Sequence, residues 1–597
     1  MKKEAILHVN LEEFIYPVSR KELVIRLRTA KWDLKKCRLI YWDRTNPFDK
    51  KYAEMTCKQR DELFDYFQTK VSFSQVARYQ KYFFELTDRN DKVWYYNTWS
   101  VTEDEPNDGF FEYLYANGKD VTDSPDWAKG IVYYQIFPER FKNGDIENDP
   151  IDVEPWETKP NRENYMGGDL AGIIEKIPYL KDLGVECLYL NPIFKGDFNH
   201  KYATTDYYCI DPIFGTNEVF GNLIEECHEN GIRVLLDGVF NHTGVHFKQF
   251  QDVVEKKEKS EYADWFFINR YPFEITHKDY ECVGAYKWMP KLNSSNPEVR
   301  KFIIGVMDYW IKEYKIDGWR LDVADEVDAS VWEEAGVILR EKYPEIILLG
   351  ETWGYAGKML RGNQMDSAMN YLFRDALRDY FGKEIIDADT FDHRINKMLS
   401  GYKEETNLLM YNLLDSHDTE RFLYWCNEKE DRLMLAVTFQ MLFPGSPAIY
   451  YGDEVGISGE NDPDCRKCMK WEEGQNKKIF DWYKQMILIR KEHECIRTGQ
   501  YRTILSDIKT DTYGFIRFHK NEAIYVVLHK GKKKEHIICP VLEEGKYIDL
   551  LSQEHFESRK EETVGFYNGD IMEYHAGIEM ELEMYSVRVI SKTLRRE

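Results

Sequence analysis

The sequence has no long run of apolar residues. Its N-terminal segment, MKKEAILHVNLEEF, contains an apolar run of only five residues even if His8 is counted within it. A secretory signal needs about 7–15 apolar residues and a membrane-spanning helix needs about 20. The sequence therefore predicts neither a secretory signal nor a membrane span.

Positive charge is also scarce. The 81 lysines and arginines are outnumbered by 105 acidic residues, which gives a net charge of −24. Because nucleic acids and anionic membranes attract a basic surface, this balance argues against both as main partners, whereas a neutral substrate is compatible with it. The 11 cysteines are odd in number and scattered along the chain. Without a secretory signal, they predict reduced thiols in a cytoplasmic protein.

Three regions of the chain differ in their pattern of apolar residues. Residues 1–122 contain alternating β-forming segments and predict an N-terminal β-sandwich, which is followed by a polar linker at about 118–127. Residues 127–502 alternate short apolar runs with helix-length amphipathic segments. Residues 503–597 return to short β-like runs and predict a C-terminal β-sandwich.

Short apolar runs in the middle region predict eight strands. They lie at residues 131–137, 186–192, 232–240, 316–322, 345–351, 366–371, 409–415 and 447–454. Because helix-length segments separate the runs, they predict an α/β fold of the (β/α)8 type, the TIM barrel. The long gap at 242–296, after the third strand, predicts a loop-rich excursion at the mouth of the barrel.

Charged residues recur at the C-terminal ends of four of these runs. They are Asp237, His242, Arg320, Asp322, Glu351, His417 and Asp418. In a barrel these strand ends meet at one rim, where partial desolvation makes a charge costly unless it is paired or used. An isolated Arg-X-Asp would more often be an ordinary salt bridge, and we expect Asp317 to be structural. The recurrence at four strand ends predicts a catalytic site.

Three acids on one rim suggest glycoside hydrolysis. In that reaction one acid protonates the leaving oxygen and a carboxylate attacks the sugar or positions water, while a third can favour the positive charge of the transition state. We expect Arg320 to keep the adjacent Asp322 ionised by opposite charge. We expect Glu351, beneath Trp353, to have its pKa raised by desolvation and to remain protonated.

The motifs DGVFNH, GWRLDVADE, GETW and LLDSHD resemble, in order and in separation, the four signature regions of the alpha-amylase family, glycoside hydrolase family 13. MPKLN, at 289–293, resembles the fifth region of the subgroup of neopullulanases, cyclomaltodextrinases and maltogenic amylases. The N-terminal region resembles the starch-binding-type domain of that subgroup. The resemblance implies a retaining enzyme that cleaves α-1,4-glucosidic bonds in cyclodextrins, maltodextrins and pullulan, with or without transglycosylation.

The resemblance also implies roles for individual residues. Asp322 matches the nucleophile, Glu351 the acid/base and Asp418 the transition-state stabiliser. Residues implied to bind the α-glucan oligosaccharide are His200, Tyr202, His242, Arg320, Trp353, His417, Asp462 and Arg466. Within this set, Tyr202 matches the platform on which a sugar ring stacks.

A calcium site and a homodimer are further implications of the resemblance. Residues at the positions of the subgroup's calcium site are Asn143, Asp145, Asn148, Asp149, Gly168 and Asp169. Their oxygens are of the kind that a hard cation takes, although a run of Asn, Asp and Gly is more often a turn. We expect any calcium ion to be structural and expect no organic cofactor. In the subgroup the N-terminal domain packs over the partner's barrel mouth, which implies a homodimer.

Two other functions remain as alternatives. Amylase-like barrels also serve as non-catalytic heavy chains of transporters, but those carry a membrane span and typically lack the acids. A glucan-binding or storage protein would instead act through the N-terminal domain. Release of reducing sugar from β-cyclodextrin by the native chain, and its loss in Asp322→Ala, distinguishes an enzyme from both.

Overall fold

The computed structural model describes residues 1–121, 124–362, 364–560 and 576–594. Residue 122, the predicted end of the N-terminal domain, lies outside the described residues, as do residues 595–597 at the end of the chain. The predicted order of a β-rich region, a barrel and a second β-rich region is confirmed.

The N-terminal region forms an antiparallel β-sandwich. Its strands are β1 (Ile15–Ser19), β2 (Glu22–Ala30), β3 (Leu34–Asp43), β4 (Lys51–Arg60), β5 (Phe64–Ser72), β6 (Arg78–Asp88), β7 (Val93–Tyr96), β8 (Val101–Thr102) and β9 (Phe111–Tyr115). Strand β4 joins the two layers, because its first half pairs with β3 and its second half pairs with β5. Alternate residues of these strands, among them Leu27, Leu39 and Phe84, fill the space between the layers.

The middle region contains ten strands. They are β10 (Tyr133–Ile136), β11 (Cys187–Leu190), β12 (Phe194–Asp197), β13 (Ala203–Ile210), β14 (Arg233–Gly238), β15 (Gly318–Leu321), β16 (Ile347–Gly350), β17 (Ser367–Ala368), β18 (Tyr411–Leu413) and β19 (Ser446–Tyr450). Strands β12 and β13 form a hairpin. The other eight are parallel, in the order β17-β16-β15-β14-β11-β10-β19-β18, and a parallel bridge from Met369 to Tyr411 links β17 to β18. Seven of these strands lie within a predicted run and β19 begins one residue before its run, so the (β/α)8 barrel is confirmed.

Helices surround the barrel and follow most of its strands. They are α1 (Leu170–Glu175), α2 (Ile177–Leu183), α3 (Asn217–Glu229), α4 (Lys248–Lys256), α5 (Pro297–Tyr314), α6 (Ala329–Lys342), α7 (Tyr371–Leu377), α8 (Ala388–Gly401), α9 (Glu404–Asn407), α10 (Phe422–Trp425), α11 (Glu430–Leu442), α12 (Lys477–Glu492) and α13 (Glu494–Thr498). The predicted excursion at 242–296 contains α4 and, beyond it, loops joined by isolated bridges such as Phe266–Leu292. Among the described helices, none is long and apolar enough to cross a membrane.

The barrel interior is packed with side chains from alternate strands. Tyr133, Tyr189, Leu235 and Tyr411 belong to this inner cluster and are fully or almost fully buried. Gly318 lets β15 approach β16 closely, because a Cβ atom there would lie only 2.1 Å from the carbonyl oxygen of Ile347. This approach sets the strand of Arg320 beside the strand that leads to Glu351.

The C-terminal region forms two facing antiparallel sheets. Its strands are β20 (Gln500–Asp507), β21 (Thr512–His519), β22 (Glu522–His529), β23 (Glu535–Val541), β24 (Lys546–Asp549), β25 (His555–Glu557), β26 (Arg559–Lys560), β27 (Ala576–Leu582) and β28 (Ser586–Thr593). Six of them form one sheet and β23, β27 and β26 form the other. Apolar residues from both sheets, such as Tyr525 and Val541, share one core, so this region is the predicted β-sandwich.

The N-terminal domain is attached to the barrel next to the end of α8. Arg26 donates a hydrogen bond of 3.2 Å to the carbonyl oxygen of Ser400, and Lys403 lies 3.1 Å from the carboxylate of Glu12. Glu13 forms a further ion pair with Arg361, in the loop that follows β16. These contacts hold the domain against its own barrel.

Candidate active site

Arg320 is the centre of the polar cluster at the C-terminal rim. Its guanidinium is fully buried and lies close to three carboxylates. Nη1 lies 2.8 Å from Asp237 and 2.9 Å from Asp322, while Nη2 lies 2.6 Å from Glu351. Strands β14, β15 and β16 are neighbours, and Asp237 is the direct partner of Arg320 in the ladder. Three successive strand ends therefore bring these groups together.

Burial decides the protonation of the two central acids. It raises the pKa of Glu351 and raises the pKa of Asp322 well above its usual range, while the charge of Arg320 opposes both shifts. We had expected Arg320 to keep Asp322 ionised. The structure differs, because one guanidinium is shared by three carboxylates and cannot neutralise them all. The cluster therefore retains a proton, which is the state that acid catalysis needs.

A chain of hydrogen bonds connects four side chains beside this cluster. Gln135 donates to Nδ1 of His417 over 2.8 Å, so the proton of the imidazole lies on Nε2. That nitrogen lies 2.6 Å from the hydroxyl of Tyr202, which in turn donates to Asp237 over 2.9 Å. Burial lowers the pKa of His417, so its ring is neutral. The chain fixes the orientation of Tyr202, whose ring is parallel to that of His417 at 5.4 Å.

Asp418 lies on the same rim and is held by a second arginine. Nη2 of Arg466 lies 3.1 Å from Asp418, and Nη1 of the same side chain lies 2.8 Å from Asp462. The Nε atom of Arg466 donates to the carbonyl oxygen of His417 over 2.8 Å. Asp418 is more open than the other two acids, with 32% of its side chain exposed. Asp462 and Arg466 therefore lie next to Asp418, the predicted transition-state stabiliser.

The two remaining histidines of the predicted set lie on either side of Tyr202. His242 is buried, and its Nε2 lies 3.1 Å from the carbonyl oxygen of Tyr202. The amide of Tyr202 donates to Nδ1 of His200 over 3.0 Å. Burial lowers the pKa of His242 to about 4 and that of His200 to about 3, so both rings are neutral hydrogen-bonding groups.

Trp353 does not lie where the sequence suggested. We had expected it to cover Glu351, but its ring stacks on Tyr371 with centroids 4.2 Å apart, and 54% of the residue is exposed. Tyr371 is buried and its hydroxyl has no hydrogen-bond partner. Together with burial, the charges of Glu351 and Asp418 raise the pKa of Tyr371. Trp353 therefore presents an exposed aromatic face beside the acids.

Sequence reasoning did not identify four polar residues of the site. Three of them, Gln135, Tyr189 and Tyr371, were not singled out at all, and Asp237 was noted only as a strand-end residue without a role; Tyr189 donates a 2.6 Å hydrogen bond to Asp237. A signal was present, because Gln135 interrupts a buried apolar run and Tyr371 is the last residue of the run at 366–371. Asp317, which we had expected to be structural, accepts from His228 and Arg233 before β15 begins.

The predicted calcium ligands lie in one loop cluster before and at the start of α1. Asn143 donates to Asp149 over 2.8 Å, and Asn148 donates to Asp169 over 3.2 Å. The side-chain oxygens of Asn143 and Asn148 are buried and have no hydrogen-bond partner. Asp145 accepts from the amide of residue 147. The two unpartnered amide oxygens are the feature of this loop that suits a cation.

Two members of the set are placed differently from the prediction. The carboxylate of Asp169 accepts hydrogen bonds from the amides of Gly144, Asp145 and Gly172, so it caps α1 and is already occupied. A Cβ atom on Gly168 would face the carbonyl oxygen of residue 138, whereas Gly167 faces Asn143 and Asp149. Across the described parts of the chain, no three His, Cys, Asp or Glu side chains converge as a metal site. A cation here would therefore need amide or carbonyl oxygens in addition to carboxylates.

The amino-acid sequence matches two known domain families. Residues 135–499 match the alpha amylase catalytic domain, and residues 1–117 match the alpha amylase N-terminal ig-like domain. The chain belongs to the alpha-amylase family of glycoside hydrolases. The first match contains every strand of the barrel from β11 to β19 and all three acids of the rim.

Members of the alpha-amylase family resemble this chain over nearly its whole length. It is 44% identical to a cyclomaltodextrinase of Thermoanaerobacter pseudethanolicus, with 91% of this chain and 95% of the relative aligned. It is 40% identical to neopullulanase 2 of Thermoactinomyces vulgaris, with 96% and 99% aligned. A solved cyclomaltodextrinase structure superposes with a TM-score of 0.92 at 35% identity, covering 99% of this chain and 100% of the other.

Proposed function

We propose that the protein hydrolyses α-1,4-glucosidic bonds in cyclodextrins, maltodextrins and pullulan, with retention of the α-anomer. The observation that carries the proposal is the position of Arg320, whose two terminal nitrogens contact Asp322 and Glu351. Two carboxylates that share one guanidinium are close enough to act on one glycosidic bond. Relatives similar over nearly the whole chain are named cyclomaltodextrinase and neopullulanase, which supports the choice of substrates.

The proposed chemistry uses the proton that the cluster retains. Glu351 gives this proton to the leaving glucosidic oxygen, while a carboxylate oxygen of Asp322 attacks the anomeric carbon from the opposite side. A covalent glucosyl–enzyme forms and the first product leaves. Glu351, now ionised, removes a proton from water as the water attacks the same carbon, which releases Asp322 and restores the α-configuration. A carbohydrate acceptor in place of water would give transglycosylation.

Other residues of the rim hold the sugar and favour the charge that develops on it. Asp418, held by Arg466, supplies negative charge beside the oxocarbenium-like transition state. Tyr202 has its ring orientation fixed by His417 and Asp237, so it can serve as a stacking platform without being reoriented. The neutral rings of His200, His242 and His417 can exchange hydrogen bonds with sugar hydroxyls.

We also propose that the loop at 143–169 holds a structural calcium ion. The unpartnered oxygens of Asn143 and Asn148 would contribute to it, together with the nearby carboxylates of Asp145 and Asp149. When bound, the ion would supply only charge and coordination that stabilise this loop. No catalytic acid belongs to this group, so the ion has no part in the chemistry.

A cytoplasmic homodimer is the last element of the proposal. All 11 cysteines are free thiols, and eight of them are buried, which suits a reducing compartment. The N-terminal domain retains exposed apolar groups beyond those used in its core: Phe48 is 95% exposed and Trp99 is 72% exposed. Surfaces of this kind suit contact with a second copy, in which the domain would narrow the mouth of the partner's barrel.

Hydrolysis of β-cyclodextrin tests the proposed activity. The native chain should release reducing ends, and nuclear magnetic resonance of the first-formed product should show the α-anomer. Asp322→Ala should lower the rate by several orders of magnitude with an unchanged melting temperature. Binding of cyclodextrin without hydrolysis would instead favour the non-catalytic glucan-binding alternative. A β-anomer would show that the assignment of the nucleophile is wrong.

A further inference from the structure

A groove lies between the N-terminal domain and the barrel, next to the candidate active site. Its volume is about 680 Å³, within the range of roughly 300–1,000 Å³ that is usual for small-molecule sites. One wall belongs to the N-terminal domain and the other to the barrel. Lining residues that matter here are Phe14, Arg28 and Tyr66 on the first wall and Tyr355, Leu372 and Lys397 on the second.

The groove begins where the active site ends. Tyr355 is two residues beyond Trp353, and Leu372 directly follows Tyr371, the residue on which Trp353 stacks. Trp353, Tyr355 and Leu372 are all exposed, at 54%, 48% and 37%. Chain connectivity therefore places the near edge of the groove beside Trp353 and Tyr371.

The near edge of the groove belongs to the segment that follows the predicted acid, which puts the groove on the side of the leaving group. An acid that protonates the leaving oxygen must stand beside the sugar that departs, and Glu351 is the predicted acid. The chain runs directly from Glu351 to Trp353 and Tyr355. Asp462 and Arg466, which hold Asp418, belong to a different loop, after β19.

The barrel wall of the groove is held in place before any ligand binds. The hydroxyl of Tyr355 donates to the carbonyl oxygen of Gly401 over 2.5 Å, and its ring stacks on Tyr402 with centroids 5.1 Å apart. The ion pair between Arg361 and Glu13 ties the same loop to the opposite wall. A preformed wall lowers the ordering cost of binding.

The composition of the groove suits a neutral sugar chain. The rings of Phe14, Tyr66 and Tyr355 offer aromatic faces to the apolar side of a pyranose ring. Arg28 packs over Phe64, with its guanidinium carbon 4.1 Å from the ring centre, and its Nε atom is buried without a hydrogen-bond partner. An unpaired buried donor is costly, and a sugar hydroxyl in the groove would satisfy it.

We propose that this groove binds the leaving-group end of a long α-glucan chain, as an extension of the active site over Trp353. The proposal rests on the proposed function, since it assigns the groove to the same substrate. It makes the protein's own N-terminal domain a determinant of preference for chain length.

The preference of the enzyme for long over short maltodextrins tests whether the groove binds the substrate chain. In Tyr66→Ala, kcat/KM for maltoheptaose should fall by about fivefold or more, as expected for loss of one aromatic contact. The value for maltotriose, which under this proposal does not reach the groove, should change less than about twofold on the same scale. The matched control is Tyr52→Ala, which removes a tyrosine of the same domain that does not line the groove and is 59% exposed. It should leave both values unchanged.

Each outcome separates this proposal from the proposed function. If the native chain hydrolyses neither substrate, the proposed function is wrong. If Tyr66→Ala hydrolyses both with the native ratio, the groove does not bind the chain. Tyr66 donates a hydrogen bond to Asp61 over 2.8 Å, so its replacement can also lower the stability of the domain. If Tyr66→Ala has a lowered melting temperature, Lys397→Ala, at an exposed position, is used in its place. The same ratio of kcat/KM for maltoheptaose to that for maltotriose then decides. A change in dimer fraction by light scattering, with the ratio unchanged, would assign the groove to a second copy and overturn the proposal.

Discussion

Nη2 of Arg320 lies 2.6 Å from the carboxylate of Glu351, while Nη1 of the same side chain lies 2.9 Å from that of Asp322. One positive charge thus lowers the pKa of both the nucleophile and the acid proposed here, against the larger effect of burial. A lysine at this position could approach only one of the carboxylates, because its charge is a single ammonium group.

Arg320→Lys should therefore change both the rate and its pH dependence. We expect kcat for β-cyclodextrin to fall by about 100-fold or more, as for loss of a preorganised charged contact. The lysine charge can stand beside only one of the two carboxylates, so the pKa of the other acid should rise and at least one limb of the pH–rate profile should move to higher pH. Initial rates between pH 4 and 9 measure this, with thermal melting as the folding control. An unshifted profile would show that Arg320 does not set the ionisation of these acids.

The contribution of Glu454 to the free energy of unfolding should decrease as the pH rises toward neutrality. Glu454 is fully buried, accepts hydrogen bonds from Tyr134 and Tyr179, and has its pKa raised by burial from 4.5 to about 7. The native state therefore keeps this proton while the unfolded chain loses it near pH 4.5. The contribution is present in full below pH 4.5 and is lost as the pH rises to about 7, which is worth on the order of 3 kcal/mol.

Glu454→Gln isolates this effect because glutamine does not titrate. Urea unfolding at pH 5 and at pH 8 should show a smaller loss of stability in the variant than in the native chain. Asp481→Asn, at a surface position of α12, serves as the control and should keep the native difference. An equal loss in Glu454→Gln and the native chain would show that Glu454 is not protonated in the folded state.

Local patterns were sufficient to predict the barrel. All eight runs of apolar residues contain a parallel strand, because a strand buried on both faces must be apolar along its length. The acids at 322, 351 and 418 were found for a related reason, since polar residues that follow such runs must meet at the C-terminal rim. The position of each residue relative to an apolar run was therefore enough to predict both the strands and the acids.

Contacts between distant side chains could not be predicted in the same way. Nothing in the sequence shows that Arg320 is shared by three carboxylates, because Asp237 and Glu351 are far from it along the chain. Trp353 stacks on Tyr371 rather than lying over Glu351, and this choice depends on the packing of α7. The resemblance implied Asp169 as a metal ligand, and the sequence did not show that this residue, directly before α1, also caps the helix.

Removal of calcium should lower thermal stability without changing the mechanism. If the ion binds the loop of Asn143 and Asn148, a chelator should lower the melting temperature, because a ligand present at 100 times its Kd adds about 2.7 kcal/mol. The anomer of the product should stay the same. In the double variant Asn143→Ala/Asn148→Ala the melting temperature should be lower and should no longer respond to chelator. A metal-free native chain of equal stability would show that the loop is only a turn.

The proposed dimer should depend on the exposed surface of the N-terminal domain. Part of the aromatic content of this domain serves its own core, where the rings of Tyr96 and Phe111 pack together with centroids 5.4 Å apart. Phe48 and Trp99 remain exposed at 95% and 72%. Light scattering should give twice the chain mass for the native protein and a lower mass for Phe48→Asp/Trp99→Asp.

The same variants show whether the domain shapes the site. A partner domain over the mouth would admit cyclodextrins and short maltodextrins better than starch, so its loss should lower the ratio of cyclodextrin to starch hydrolysis. Deletion of residues 1–122 should lower the ratio in the same direction, provided that the remaining barrel gives a cooperative melting transition. The ion pairs of Glu12 and Glu13 hold the domain to its own barrel. Phe48→Asp/Trp99→Asp leaves these ion pairs in place, so it removes the contact with the partner alone. A monomeric native chain, or a monomeric variant with the native ratio, would show that the partner's domain does not narrow the mouth.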